Sequence, residues 1–181
     1  MTDKAAMRAT MRHFRDQFVA RVRPAMSARP GLLADMSAGK IVAAYLPMGS
    51  EADAMPLIDA AIGRGCAIAL PHVTHRHAPM RLLAWAPGDP LEAGPFGLRQ
   101  PRADAPEVAP DIILTPLMAF DSGLNRLGQG AGYYDRFFAL QPTARRIGVA
   151  WSMQHVGQVP TDPWDVALHA VITEQDWIAA L

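Results

Sequence analysis

From Asp111 to Leu140 the chain passes through three kinds of segment in one order. An apolar, strand-like run, Asp111-Ile112-Ile113-Leu114, comes first. Alternating glycines follow at Gly128, Gly130 and Gly132. The third segment, Tyr133-Tyr134-Asp135-Arg136-Phe137-Phe138-Ala139-Leu140, reads as the opening turns of a helix. Strand, glycine loop, helix is the order that builds an anion site. Glycines allow positive φ and let bare N–H groups approach a ligand. Successive N–H groups in such a turn form a concave nest for phosphate oxygens, and the helix adds unpaired amides and the positive end of its dipole. Arg126, just upstream, adds a forked fixed charge.

Two better-known phosphate loops do not match. Walker A requires a lysine and a hydroxyl after its last glycine, and both are missing here. The dinucleotide fingerprint spaces its third glycine one residue later than Gly132. Asp135 is informative because a carboxylate beside a phosphate is repelled. Two unit charges about 4 Å apart at an effective dielectric near 20 cost roughly 4 kcal/mol. A cation between them removes that cost, and Mg²⁺ held by one or two carboxylates plus phosphate oxygens is the usual one. A plain acid in the first turn of a helix, stabilising its dipole, explains Asp135 equally well.

A chain of 181 residues suggests one domain spanning 1–181, able to bury close to 70% of its unfolded surface. Lys+Arg and Asp+Glu both number 17, so no bulk positive field exists for nucleic acid and any phosphate site is local. The lone Cys66 sits in an apolar run and reads as a small buried hydrophobe. Met1-Thr2-Asp3-Lys4 has no apolar leader, and no run approaches the ~18 apolar residues of a membrane span. The expectation is a soluble cytoplasmic protein, and a monomer.

Met7, Met11, Phe14, Phe18 and Val22 form one apolar stripe of a first helix that Pro24 ends, with Arg8, Arg12 and Arg15 together on another face. A short helical segment is expected around Ala34. Ile41–Leu46 reads as a buried parallel strand. Glu51-Ala52-Asp53 opens a helix over 55–64, and Cys66–Leu70 is the next strand. This rhythm argues for a parallel sheet flanked by helices. Glu51 falls just past a strand's C-terminal end, where open α/β sheets bind ligands. The histidines within His72–His77 suit no standard zinc spacing and read as a polar loop. Met80–Trp85 and Arg146–Trp151 are further strands, 101–110 an exposed connection, and Thr173–Asp176 a capping-box variant with Glu174 structural.

The run Arg126–Arg136, following Pro116 and Phe120-Asp121, resembles the signature of the 5-formyltetrahydrofolate cyclo-ligase family. Lys4-Ala5-Ala6-Met7-Arg8 is similar to that family's Lys-x-x-Leu-Arg opening. The resemblance runs from Lys4 to Glu174. It implies an α/β three-layer sandwich with a mainly parallel sheet, the architecture also used by sugar-phosphate isomerases and CoA-transferases. It implies ATP as co-substrate, held by Lys4, Arg8, Arg126, Leu127, Gly128, Gln129, Gly130, Ala131, Gly132, Tyr133 and Tyr134. Mg²⁺ falls to Asp135 and Asp165, and 5-formyltetrahydrofolate to Leu46, Met48, Glu51 and Phe96. Arg126, Tyr133 and Asp135 carry the chemistry.

Three positions depart from the family pattern. Leu124 stands where glycine is usual, with Gly123 beside it to make the turn. Ala131 stands where glycine or a basic residue is common, and His169 stands for an aspartate. The last two favour a rival reading, a folate or nucleotide binder without turnover. An isomerase-like enzyme on the same architecture is the other rival.

Overall fold

The computed structural model describes residues 3–180. Seven strands form the main sheet: β1 (Ile41–Ala43), β2 (Ala67–His72), β3 (Arg81–Trp85), β6 (Ile112–Pro116), β9 (Arg145–Val149), β10 (Ala170–Ile172) and β11 (Trp177–Ala179). Their spatial order is β11-β10-β9-β6-β1-β2-β3. The five central strands run parallel, and the edge strands β3 and β11 pair antiparallel. A hairpin, β4 (Leu91–Ala93) with β5 (Arg99–Pro101), and a short ribbon, β7 (Ala119–Phe120) with β8 (Arg126–Leu127), stand apart from it.

Alternation along the buried strands sends successive side chains to opposite faces, and both faces are covered. Val42, Ile112, Leu114, Ile147 and Val149 pack with residues of α1 (Lys4–Val22), α2 (Pro30–Asp35) and α3 (Met55–Gly63). Ala43, Ala69, Ile113 and Val171 pack with Phe137 and Phe138 of α4 (Tyr133–Leu140). This is an α/β sandwich with its sheet in the middle. The 102–110 segment covers part of the β3 edge: Ala84 N donates to Pro106 O and Val108 N to Leu82 O, which removes unpaired edge groups.

Several sequence expectations shift. In α1 the buried positions are Met11 and Arg15, while Phe14 and Val22 are about half exposed. The buried stripe is therefore rotated toward the arginine face. Ladder pairing in β1 ends at Ala43, and α3 begins after Ala54, with Asp53 Oδ1 accepting from Met55 N. Glu51 lies outside that helix. His72 is the buried last residue of β2. Thr173–Asp176 is the β10–β11 turn, not a helix start: Thr173 Oγ1 accepts from Gln175 N and Asp176 N. Glu174 instead accepts from Ser152 N and Oγ.

The turn leading to the glycine loop is built by Asp121. Its buried carboxylate accepts from the amides of Gly123 (3.0 Å), Asn125 (3.0 Å) and Val159 (2.9 Å). Leu124 itself takes the left-handed backbone at φ 59, so Gly123 does not relieve the missing glycine. Left-handed backbone costs an L-residue about 1–2 kcal/mol, whereas truncating a buried leucine costs about 2–5 kcal/mol, and Leu124 is 4% exposed. Burial wins. Leu124→Gly should lower stability by about 1–3 kcal/mol in urea unfolding; a variant more stable than its parent would reverse that ranking.

Candidate functional site

The C-terminal ends of β1, β6 and β9 feed the segments 44–51, 117–132 and 150–154, and the first two carry Leu46, Met48, Glu51 and the predicted loop 126–132. The glycine loop is fixed by arginines on its carbonyls. Arg8 Nε donates to Gly128 O at 2.8 Å, Arg136 Nη1 to Ala131 O at 3.0 Å and Arg76 Nη2 to Gly130 O at 3.4 Å. Among the described residues, none of the amides of 128–132 donates a hydrogen bond. Oxygens occupied and amides unpaired is the polarity a phosphate nest needs. Gly132 caps α4 with φ 69 and no side-chain cap, so the first-turn amides also lack a side-chain partner.

Each glycine answers a local demand. Gly130 sits at φ 106, which a side chain would strain. Gly128 leaves room for Arg126, since a Cβ there would come within 3.0 Å of Nη1. Arg126 itself is buried. Its Nη2 pairs with Asp135 Oδ1 at 2.7 Å, its guanidinium lies over the rings of Tyr134 and Phe138, and its Nε has no partner. Tyr133 Oη donates to His75 O, with Arg136 over its ring. Burial, then the charge of Glu51, pushes the Tyr134 phenol above its ordinary range.

Lys4 and Asp165 are also brought together. Lys4 Nζ reaches Asp165 Oδ2 at 2.5 Å and Asp162 Oδ2 at 2.6 Å. Burial alone would lower its pKa, but the two carboxylate bonds prevail and raise it. Lys4 precedes Arg8 by four residues, so this pair stands one helical turn along the same face from the Arg8–Gly128 bond. Asp135 and Asp165 thus each hold a different cation, and among the described residues no group of three metal-ligating side chains exists. A protein-only metal cage is not built. Two carboxylates fit Mg²⁺ only as a hard cation that takes most of its oxygens from phosphate and water. His169 bonds Arg146, accepting from its backbone N–H at 2.9 Å. Burial, then Arg146, holds its pKa low.

On the neighbouring wall, Glu51 Oε2 accepts from Met48 N at 3.0 Å and Oε1 from Gln129 Nε2 at 2.7 Å. Burial pushes the Glu51 carboxyl up, against the Met48 amide and Arg15. Leu46 and Met48, with Pro47, Met55, Gly97 and Arg99, line a cleft of about 470 Å³. Phe96, at its edge in sequence, is 61% exposed with φ 61. It fills no core, and a bulky residue held left-handed at a cleft is the kind of strain that collects at binding sites. Sequence reasoning missed Arg76, Arg136 and the Gln129–Glu51 bridge. Arg76 lay inside a histidine-rich run, and no local pattern links 51 to 129.

An α/β sandwich whose glycine loop keeps its amides unpaired, with a cleft beside it, is the architecture of a small-molecule enzyme. Over residues 1–174 the sequence matches the 5-formyltetrahydrofolate cyclo-ligase family, and the chain belongs to that family. It is 36% identical over 154 residues to the 5-formyltetrahydrofolate cyclo-ligase of Mycolicibacterium smegmatis, covering 79% of this chain and 78% of that one. The cyclo-ligase of Escherichia coli is 34% identical over 144 residues, 73% and 76% of the two chains. The solved structure of Aquifex aeolicus 5,10-methenyltetrahydrofolate synthetase superposes with TM-score 0.73 at 26% identity, covering 97% of this chain and 92% of that one.

Glu51 gives a pH test. Its folded pKa lies above the ordinary 4.5, so the fold prefers the protonated form. That contribution is whole below 4.5 and is lost as pH rises through the raised value. Glu51→Gln, which never ionises, should therefore gain Tm relative to the parent at pH 7.5 compared with pH 4. A constant difference across that range would place Glu51 in an environment no drier than water.

Proposed function

We propose that this protein converts 5-formyltetrahydrofolate to 5,10-methenyltetrahydrofolate, using ATP with Mg²⁺ and releasing ADP and phosphate. The carrying observation is the glycine loop, whose carbonyls are held by Arg8, Arg76 and Arg136 while its amides stay unpaired. In this reading the amides of 128–132 and the N-terminus of α4 receive the phosphates, with Arg8 and Lys4 beside them. Leu46, Met48, Glu51 and Phe96 hold the folate. Mg²⁺, held by Asp135 and Asp165 together with phosphate oxygens, would neutralise charge on the transferring phosphoryl group.

The formyl oxygen of the substrate attacks the γ-phosphorus, and ADP leaves. N10 then adds to the activated formyl carbon, N10 loses its proton, and phosphate departs with its bonding pair, leaving the methenyl bridge. Every nucleophile belongs to the substrates. The protein therefore supplies position and electrostatic complementarity. Asp135, paired with Arg126 Nη2, would hold the metal with its carboxylate. Arg126 cushions its charge and would share the charge of the phosphate oxygens. The chain acts as a single domain over 1–181, a monomer in the cytoplasm.

Mixing protein, MgATP and 5-formyltetrahydrofolate should produce the near-ultraviolet band of the methenyl product together with one ADP per turnover. ATP-independent turnover of a sugar phosphate would instead support an isomerase. Tight folate binding with no ADP release would support a silent binder. Asp135→Ala should lower kcat by about 100-fold or more, the scale of a lost electrostatic contact in a transition state. Arg8→Ala should raise the KM for ATP by about tenfold, equal to ~1.4 kcal/mol of binding, with a smaller effect on kcat. If either variant turns over like its parent at subsaturating ATP, its assigned role is wrong.

A further inference from the structure

Arg15 has no part in the reaction above, yet its guanidinium is buried without a carboxylate partner among the described residues. It is 4% exposed. Among the described residues it makes no ion pair: Nε donates to Ser50 Oγ at 2.9 Å, and Nη1 approaches only the weak acceptor Met118 Sδ at 3.5 Å. Buried charges are normally paired, because an uncompensated one is costly. Burial accordingly lowers the pKa of Arg15, with Glu51 and then Asp16 opposing.

The 48–51 turn is where those influences meet. Ser50 is fixed from two sides, by Arg15 on its hydroxyl oxygen and by Trp151 Nε1 on its carbonyl at 3.0 Å. Its hydroxyl donates to Asp16 Oδ1. The next residue is Glu51, held by Met48 N and Gln129. The charged and titratable groups that act on Glu51 come from three directions: Arg15 and Arg12 on α1, Tyr45 after β1, and Tyr134 on α4. Of the two cations, Arg12 is exposed and screened by solvent. Arg15 is the dry one.

We propose that Arg15 is a positioning residue for Glu51, holding the Ser50–Glu51 turn in place and keeping the Glu51 carboxylate ionised to receive the N–H donors of a pterin-type ring. The substrate part rests on the folate reading above; the electrostatic part does not. A buried guanidinium lacking its own carboxylate is a charge whose field acts on Glu51, the acid next to the serine it holds.

The test uses the full chain with Arg15→Met, which keeps length and loses charge, and Arg15→Lys, which keeps charge. Titrating the glutamate carboxyl carbons by NMR, with Glu51→Gln to assign the signal, should show Glu51 titrating at higher pH in Arg15→Met and near the parent in Arg15→Lys. In turnover, the acid limb of kcat/KM for 5-formyltetrahydrofolate should move up in Arg15→Met. Each pH unit of that move is about tenfold below the limb. The KM for MgATP should stay within about 2-fold of the parent, less than ~0.5 kcal/mol.

A merely structural arginine would lower Tm and lower activity evenly across pH with Glu51 titrating as in the parent, and that result overturns the proposal. If Arg15→Met does not fold, Arg15→Lys decides: a Glu51 titration displaced upward despite the retained charge overturns it. A parent protein without folate turnover, but with Glu51 responding to Arg15, would sink the folate reading and leave the coupling intact.

Discussion

The polarity of one loop governs the rest of this molecule. A backbone turn offers both oxygens and amides, and it binds anions only when the oxygens are otherwise engaged. Here arginines from three separate segments, Arg8 of α1, Arg76 of the 73–78 turn and Arg136 of α4, occupy the carbonyls of Gly128, Gly130 and Ala131. The loop is thus wrapped in positive charge on its oxygen side. Residues outside the loop fix its chemistry, and they arrive there because the sandwich brings α1 and the β2–β3 turn to the C-terminal edge of the central strands.

The charges around this loop are arranged in pairs. Arg126 with Asp135 and Lys4 with Asp165 and Asp162 are direct, part-buried bonds. Such pairs contribute modestly to stability, because desolvation offsets much of the attraction. Their use here is different: each carboxylate proposed for a metal already has a cation that orients it. A basic residue at Ala131, common in the family, would add a charge where Arg136 Nη1 already meets the Ala131 carbonyl. The aspartate replaced by His169 would stand beside Arg146. Neither departure reaches Asp135 or Asp165.

The sheet, the helices and the glycine loop were legible because they rest on local pattern. Ile112–Leu114 and Ile147–Val149 are apolar runs long enough to be read as buried strands, and the loop's spacing is written in consecutive residues. What escaped was non-local. Arg15 was grouped with Arg8 and Arg12 on one helix face, since nothing in the helix period says that Ser50 and Met118 will close over it. Leu124 looked harmless beside Gly123, but Asp121 dictates which residue takes the left-handed backbone, by accepting from Gly123 N and Asn125 N at once. Thr173–Asp176 has the composition of a helix start, and sheet pairing between β10 and β11 overrode it. Phe96 was expected at the folate wall, but its exposure cannot be read from a hairpin tip's sequence.

The most direct measurement is a ¹H–¹⁵N NMR titration of the protein with MgATP. The amides of Gly128, Gly130 and Gly132 should show among the largest chemical-shift changes, moving together with saturation, while the amides of the 102–110 connection stay still. A titration in which nucleotide binds and the three glycine amides do not move would contradict that, because the phosphates would then sit somewhere other than on this loop.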